Sequence, residues 1–188
     1  FVSASRQGDI INSAFADTIT VSNGRTLFDG MILDTAGGTA GLMINGGGNL
    51  ELVNSAVDGI SGGKVDTFTQ AADGTITYQL RPDATAGRIH ADVSASIDGA
   101  LVARPLAGLY ADNTVYENVV ESGGAAITGT WDSVTSTSPL LNVAAVYNAN
   151  DYDLNATRVA FNAVQGLNAN QKSVASAIES TYSTSLTG

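Results

Sequence analysis

Asp73-Gly74-Thr75-Ile76-Thr77-Tyr78-Gln79-Leu80 is the stretch on which the fold of this 188-residue chain turns. An Asp-Gly turn opens a run in which Ile76, Tyr78 and Leu80 alternate with polar residues, the period-2 pattern of a strand with one buried face. Three other segments begin the same way: Asn23-Gly24-Arg25-Thr26-Leu27, Gly47-Gly48-Asn49-Leu50-Glu51-Leu52 and Asp98-Gly99-Ala100-Leu101-Val102. Their glycines, Gly24, Gly48, Gly74 and Gly99, are spaced by 24, 26 and 25 residues. Three short strands and three turns fill that length, so the repeat predicts coils of a β-solenoid. The same turn dipeptides would also suit an antiparallel sandwich with hairpins at Asn23-Gly24, Asp73-Gly74 and Asp98-Gly99; the regular spacing favours coils.

Composition narrows the classes. Gly numbers 21 and Pro 3, and charged residues are 14 % against a usual value of about 25 %. At 44 % hydrophobic residues the chain can build a core. Net charge is −10, with only two lysines, Lys64 and Lys172, and six scattered arginines, so a nucleic-acid partner is not expected. There is no cysteine, hence no disulfide or thiolate metal site. No signal peptide stands at Phe1 and no apolar run is long enough for a helical membrane span, and the abrupt start predicts a fragment or processed product. Residues 1–20 are expected to form a disordered or displaced edge of a coil.

Beyond about residue 100 the strands lengthen. Val115 to Val120, Ala126 to Trp131, Leu140 to Tyr147 and Tyr152 to Val159 read as strands, joined by turns at Gly123-Gly124 and Asn148-Ala149-Asn150-Asp151. Ile89, Ala91 and Val93 read as one buried row before them. Trp131, Tyr116, Leu140, Tyr147, Leu154 and Phe161 are the expected core of this second unit. Asn170 to Glu179 reads as a helix capped by Asn168 or Asn170, with Val174, Ala177, Ile178 and Tyr182 on one stripe. A short helical turn is expected between Val159 and Gln165, ended by Gly166. The expected organisation is stem coils over 1–100, a cap over 101–165 and a helical linker over 166–188.

Thr157-Arg-Val-Ala-Phe-Asn-Ala-Val-Gln-Gly-Leu-Asn-Ala-Asn-Gln-Lys-Ser-Val-Ala-Ser-Ala-Ile178 resembles the end of the passenger in type V bacterial autotransporters, where an Arg-x-x-Phe strand precedes an Asn-Gln-led helix. Tyr116-Glu-Asn-Val-Val-Glu-Ser-Gly-Gly-Ala-Ala-Ile-Thr-Gly-Thr-Trp131 is similar to the family's cap strand and Gly-Gly turn, and Asp98 to Pro105 to its last coil. The resemblance covers roughly residues 87–182. It implies a right-handed, single-stranded parallel β-helix closed by an autochaperone cap and followed by a short α-helix. It implies secretion through the protein's own C-terminal outer-membrane β-barrel, which this sequence does not include, with the barrel-assembly machinery as a partner. The location implied is the bacterial cell surface, or the medium after cleavage. The role implied is to cap the passenger and nucleate its folding, without a cofactor; any enzymatic activity would lie upstream. A surface adhesin binding a host or cell-surface ligand is the alternative, and a fragment of a β-helical carbohydrate-active enzyme comes third.

Sites of chemistry find little support. Gly59-Ile60-Ser61-Gly62-Gly63 matches G-x-S-x-G, and His90, the only histidine, lies downstream with Asp66, Asp73 and Asp83 between. No helix follows Ser61, so a turn is expected there and a strand position for His90. Asp151 and Asp153, near Asn148, Asn150 and Asn155, are oxygen donors without calcium-loop spacing. Asp132 lacks a paired carboxylate, and Gly46-Gly47-Gly48 lacks the lysine of a phosphate loop. Tyr78, Tyr110 and Tyr116 would either line a ligand-binding face or pack the stem.

Overall fold

The structure, a computed structural model, describes residues 3–11, 14–33, 38–55, 59, 60 and 62–183. Successive passes of the chain lay strands on one another in parallel. The first pass holds β1 (Ser3–Gln7), β2 (Ile10–Ile11) and β3 (Ala16–Val21); the next holds β4 (Gly24–Asp29), β5 (Met31–Leu33) and β6 (Thr39–Ile44). Then come β7 (Gly48–Leu52), a small antiparallel excursion of β8 (Asn54–Ser55) and β9 (Gly59–Ile60), and β10 (Gly62–Gln70). β11 (Thr75–Leu80) and β12 (Arg88–Ile97) follow, then β13 (Ala100–Pro105), β14 (Asn113–Ser122), β15 (Thr128–Gly129) and β16 (Ser133–Ser136). The antiparallel hairpin of β17 (Leu141–Tyr147) and β18 (Asp151–Arg158) comes last among the strands.

One sheet stacks β1, β4, β7, β11, β13 and β16 in that order, every pair parallel. On the other faces β10 pairs with β5 through Gly62 and Gly63 and with β6 through Thr67 to Gln70, so one long strand replaces two short ones. The fold is therefore a β-solenoid, and the sandwich with Asx-Gly hairpins is excluded. Residues 3–11 and 14–21 belong to the stack: β1, β2 and β3 pair in register with β4, β5 and β6, which corrects the expectation of a displaced edge.

The predicted glycine column is real. Gly24 lies opposite Gly48, and the registers Asn49↔Thr75 and Thr75↔Ala100 carry the column on through Gly74 and Gly99. At Gly48, Gly74 and Gly99 the chain passes directly over a carbonyl of the rung below. A Cβ on Gly48 would run into the Val21 carbonyl, and one on Gly99 would meet the carbonyls of Ala71, Ala72 and Gly74. Gly99 also needs a φ of 68°.

A single apolar core runs the length of the stack. It is built from inward residues such as Val21, Ile44, Leu52, Phe68, Tyr78, Leu101, Tyr116 and Leu154. The row read as Ile89, Ala91 and Val93 breaks at Val93, which is exposed. Val65 pairs with Ala91 but Thr67 pairs with Ser94, so β12 holds one extra residue there and its inward row resumes at Ala95 and Ile97.

The second half departs from plain stacking. β14 continues the parallel stack on β12 through Val120 to Ser122, and pairs antiparallel with β18 through Asn113–Tyr116 and again at Val120 and Glu121, with a bulge between Tyr116 and Val120. A strand over Ala126 to Trp131 shrinks to the two residues of β15, and β16, unforeseen, closes the other sheet. A 3-10 turn at Phe161–Ala163 and one helix, α1 (Ala169–Thr181), complete the chain. Asn168 and Gln171 form a reciprocal capping box at its start.

Gly99→Ala and Gly47→Ala separate backbone strain from crowding, since both residues have positive φ but only Gly99 has backbone oxygens in the way. Gly47→Ala should cost about 1–2 kcal/mol in urea unfolding, the left-handed penalty alone. Gly99→Ala should cost more; equal losses would show that the corner is not tightly stacked.

Candidate functional site

The densest set of interactions lies where the last rungs meet the stem. Val21, Ile44 and Gln70 form one inward column, and Ile97 and Gly129 pair further along it. Gln70 is an amide in an apolar interior, 1 % exposed. Such a group is tolerated only if its polar atoms are partnered. Its Nε2 donates to Gly74 O at 3.2 Å and to Ala100 O at 2.9 Å, and its Oε1 accepts the indole N–H of Trp131 at 3.0 Å. Trp131 follows β15, so one side chain from the end of the parallel stack is bonded to β10 and, through the amide, to the corner before β11 and the first residue of β13.

Tyrosines repeat the device. Tyr78 donates its hydroxyl to Val119 O (2.9 Å), Tyr116 to Arg81 O (2.8 Å) and Tyr152 to Gly129 O. The Tyr110 hydroxyl lies 2.8 Å from both Leu80 O and Leu106 O, and Tyr182 donates to Tyr110 O (2.6 Å). Five of the six tyrosines thus donate to a main-chain carbonyl. Burial pushes the Tyr78 and Tyr116 phenols well above the usual tyrosine range and lifts Tyr110 to about 12, so all three remain protonated donors in neutral water. None forms a ligand-binding face: Tyr78, Tyr110 and Tyr116 are all buried.

The expected cap core divides. Trp131, Tyr116 and Leu154 are buried. Leu140 is only half-buried, and its neighbour Leu141 takes the inward position. Tyr147 is 40 % exposed, at the end of edge strand β17, yet its ring lies 4.8 Å from Tyr152 and 6.0 Å from Trp131. Phe161 sits half-buried in the 3-10 turn, its ring 5.8 Å from that of Tyr182. Gly123 and Gly124 turn against β12: a Cβ on Gly124 would meet the carbonyls of Asp92 and Val93. On α1 the predicted stripe splits. Val174 and Ile178 face solvent, and Ala175 is the buried position.

A second polar constellation covers the outer side of the stem. Glu51 on β7 is 1 % exposed and accepts from Gln79 (2.7 Å), Arg104 (2.8 Å) and both Nε (2.7 Å) and Nη2 of Arg25. Burial raises the pKa of this carboxyl, but the bonds from Gln79, Arg25 and Arg104 together outweigh it and hold the group below the usual glutamate range.

Several of the residues considered for catalysis or metal binding have partners within the fold. Ser61 lies outside the described residues. His90 alternates with buried Ile89 and Ala91, and its ring nitrogens face Glu121 (3.1 Å) and Asp92 (2.9 Å). Asp153 accepts from the Asn118 amide (2.7 Å) and Asp151 from the Asn148 side chain (2.6 Å), so both carboxylates serve the β14 bulge and the hairpin turn. Gly46 and Gly47 make the turn before β7, where Asp73 accepts from the Gly46 amide at 3.1 Å. Asp132 gives its backbone N–H to Gly99 O at 2.7 Å. Among the described residues no cluster of His, Cys, Asp and Glu could hold a metal ion.

Trp131→Phe removes the donor to Gln70 while keeping a ring, and should cost about 1–3 kcal/mol in chemical denaturation. Gln70→Met in that background should recover part of the loss, because the orphaned amide goes with it; strictly additive losses would deny the coupling. Glu51 stabilises the fold above the ordinary glutamate value of 4.5, and its contribution is lost as pH falls through the depressed folded value. Glu51→Gln should therefore flatten the stability profile on the acid side of pH 4.5. No protein-family profile matches the sequence, and comparison with curated proteins gave no significant match.

Proposed function

We propose that this chain is the closing segment of a secreted β-solenoid of the autotransporter type, and that its work is to terminate the stack and start its folding. The observation that carries the reading is the tie from Trp131 to Gln70, which joins the last parallel rung to rungs beneath it. A terminal rung otherwise leaves backbone groups and an apolar face without partners, an edge prone to aggregate. Here the β17–β18 hairpin lies against β14 and places Tyr147 and Tyr152 on Trp131. Toward the other end of the stack a cavity of about 330 Å³ is lined by Ile19, Val21, Phe28, Ile32, Leu42 and Leu50. A segment whose last parallel rung is tied in register to the rungs beneath it suits a template on which further coils form.

The same reading supplies a direction for export. A chain emerging C-terminal end first would fold this segment outside the cell, and the folding free energy would hold it there. Each rung buries a few apolar side chains at about 1.5–3 kcal/mol apiece, but backbone ordering at about 1–2 kcal/mol per residue offsets most of that. An isolated rung is therefore unstable, and a preformed end decides where stacking begins.

A ligand-binding solenoid is the second reading. The row Thr18, Gly41, Thr67 and Ser94, and its neighbour Thr20, Met43, Thr69 and Ser96, present mostly hydroxyls in register along one outer face. That face would suit a carbohydrate or another polar surface.

Surface display separates the two. The chain is fused between an export signal and an outer-membrane β-barrel, and protease-accessible protein is measured on intact cells. Deleting residues 113–158 should abolish display, and Trp131→Ala, expected to cost about 3–5 kcal/mol, should reduce it. Full display with loss of attachment to a surface would overturn the folding role in favour of the binding one.

A further inference from the structure

The C-terminal helix is attached to the molecule in an unusual way. A surface helix is normally held by an apolar stripe against the core. On α1 only Ala175 is buried, while Val174 and Ile178 are 61 % and 49 % exposed. Its charged contacts are all at the last turn; one turn earlier the Asn162 side chain donates to Ser176 Oγ at 3.2 Å. The two carboxylate oxygens of Glu179 lie 2.5 and 3.0 Å from Nη2 and Nη1 of Arg158 at the end of β18, and Oε2 also accepts the Phe161 amide at 2.9 Å. Asp112, in the segment before β14, takes the Arg158 Nε at 3.0 Å. Just beyond the helix the Tyr182 ring lies 4.2 Å from the same guanidinium, and its hydroxyl bonds Tyr110 O.

We propose that α1 is a releasable strap: one ionic latch at Arg158 fastens it over the end of the cap, and breaking that latch frees the helix without unfolding the solenoid. The bidentate geometry gives the latch strength and orientation. The small apolar contact beneath it makes the latch separable from the core. Between Phe161 and Tyr182 on the strap side, and Leu106, Leu109, Tyr110, Leu140 and Leu141 on the cap side, lies a cavity of about 240 Å³, so the two surfaces do not interlock.

The groups that face the latch are Arg158 from β18, Asp112 and Tyr110 from the segment before β14, and Glu179 and Tyr182 from the strap. The bonds from Arg158 and the Phe161 amide hold the Glu179 carboxyl below the usual glutamate range. The latch is therefore complete above the ordinary value of 4.5 and weakens as pH falls through the depressed one. Acid is thus one release signal; a competing carboxylate or guanidinium from a partner would be another.

Because the sequence lacks cysteine, two spin labels can be placed cleanly, at Ser173→Cys on the helix and Asn142→Cys on β17. At neutral pH the parent should give one narrow distance. E179Q should add a broad second population and lower amide-exchange protection over Gln171–Ile178 about tenfold, with β10 and β12 unchanged. R158Q, which alters the cap itself, serves as the second variant and should free the helix equally. A distance distribution unchanged in E179Q, or loss of protection spread equally through β10 and β12, would overturn the proposal.

Discussion

A stack of parallel rungs has two ends, and the terminal backbone groups and apolar faces there need partners. The rest of this structure depends on how one end is met. The Trp131 indole covers apolar surface and gives its only polar hydrogen to Gln70, deep in the stem. Gln70 in turn uses its amide hydrogens on Gly74 O and Ala100 O, so both of its polar atoms are partnered. The arrangement is conditional: an amide in that column would be costly without the indole, and the indole would be unpartnered without the amide. Two residues 61 positions apart in sequence are committed to each other. Closing the stack and fixing its register are consequently one event.

Tyrosine hydroxyls extend the same logic to the loops. A solenoid leaves carbonyls at its corners and bulges where the sheet ladder is interrupted. Tyr78 meets the carbonyl of Val119 beside the β14 bulge, and Tyr152 meets Gly129. Rigid rings lose little entropy in reaching these positions, and their buried hydroxyls stay protonated. Charged groups are used sparingly, and two of their nodes differ in kind. Glu51 ties β4, β7, β11 and β13 together across the outer side of the stem, and Arg158 holds the helix to the cap. The first node belongs to the stack, and the second only fastens something to it.

Much of the fold was legible from local pattern. The glycine column could be read because the corners at Gly48, Gly74 and Gly99 each pass over a carbonyl, a constraint repeated from rung to rung. The helix start could be read because Asn168 and Gln171 are a local pair. Other features were hidden because their partners are distant or their cause is a single inserted residue. The extra residue in β12 turns Val93 outward, and nothing in Ile89-His90-Ala91-Asp92-Val93 announces it. Tyr147 reads as core by its type and alternation, yet it ends an edge strand. Val174 and Ile178 form a good stripe on paper, but the helix presents Ala175 and Glu179 to the cap instead. Gln70 and Glu51 were missed altogether. The one available signal was polarity inside otherwise apolar runs, Gln70 after Phe68 and Glu51 between Leu50 and Leu52.

The central claim is that the closed end forms first and templates the stem. Pulse-labelling amide exchange during refolding from urea tests it most directly. The account predicts that amides of β14, β18 and the Gly129–Trp131 corner gain protection before those of β4 and β7, with protection spreading from cap toward stem. Protection appearing first in β4 and β7, or simultaneously throughout, would contradict it.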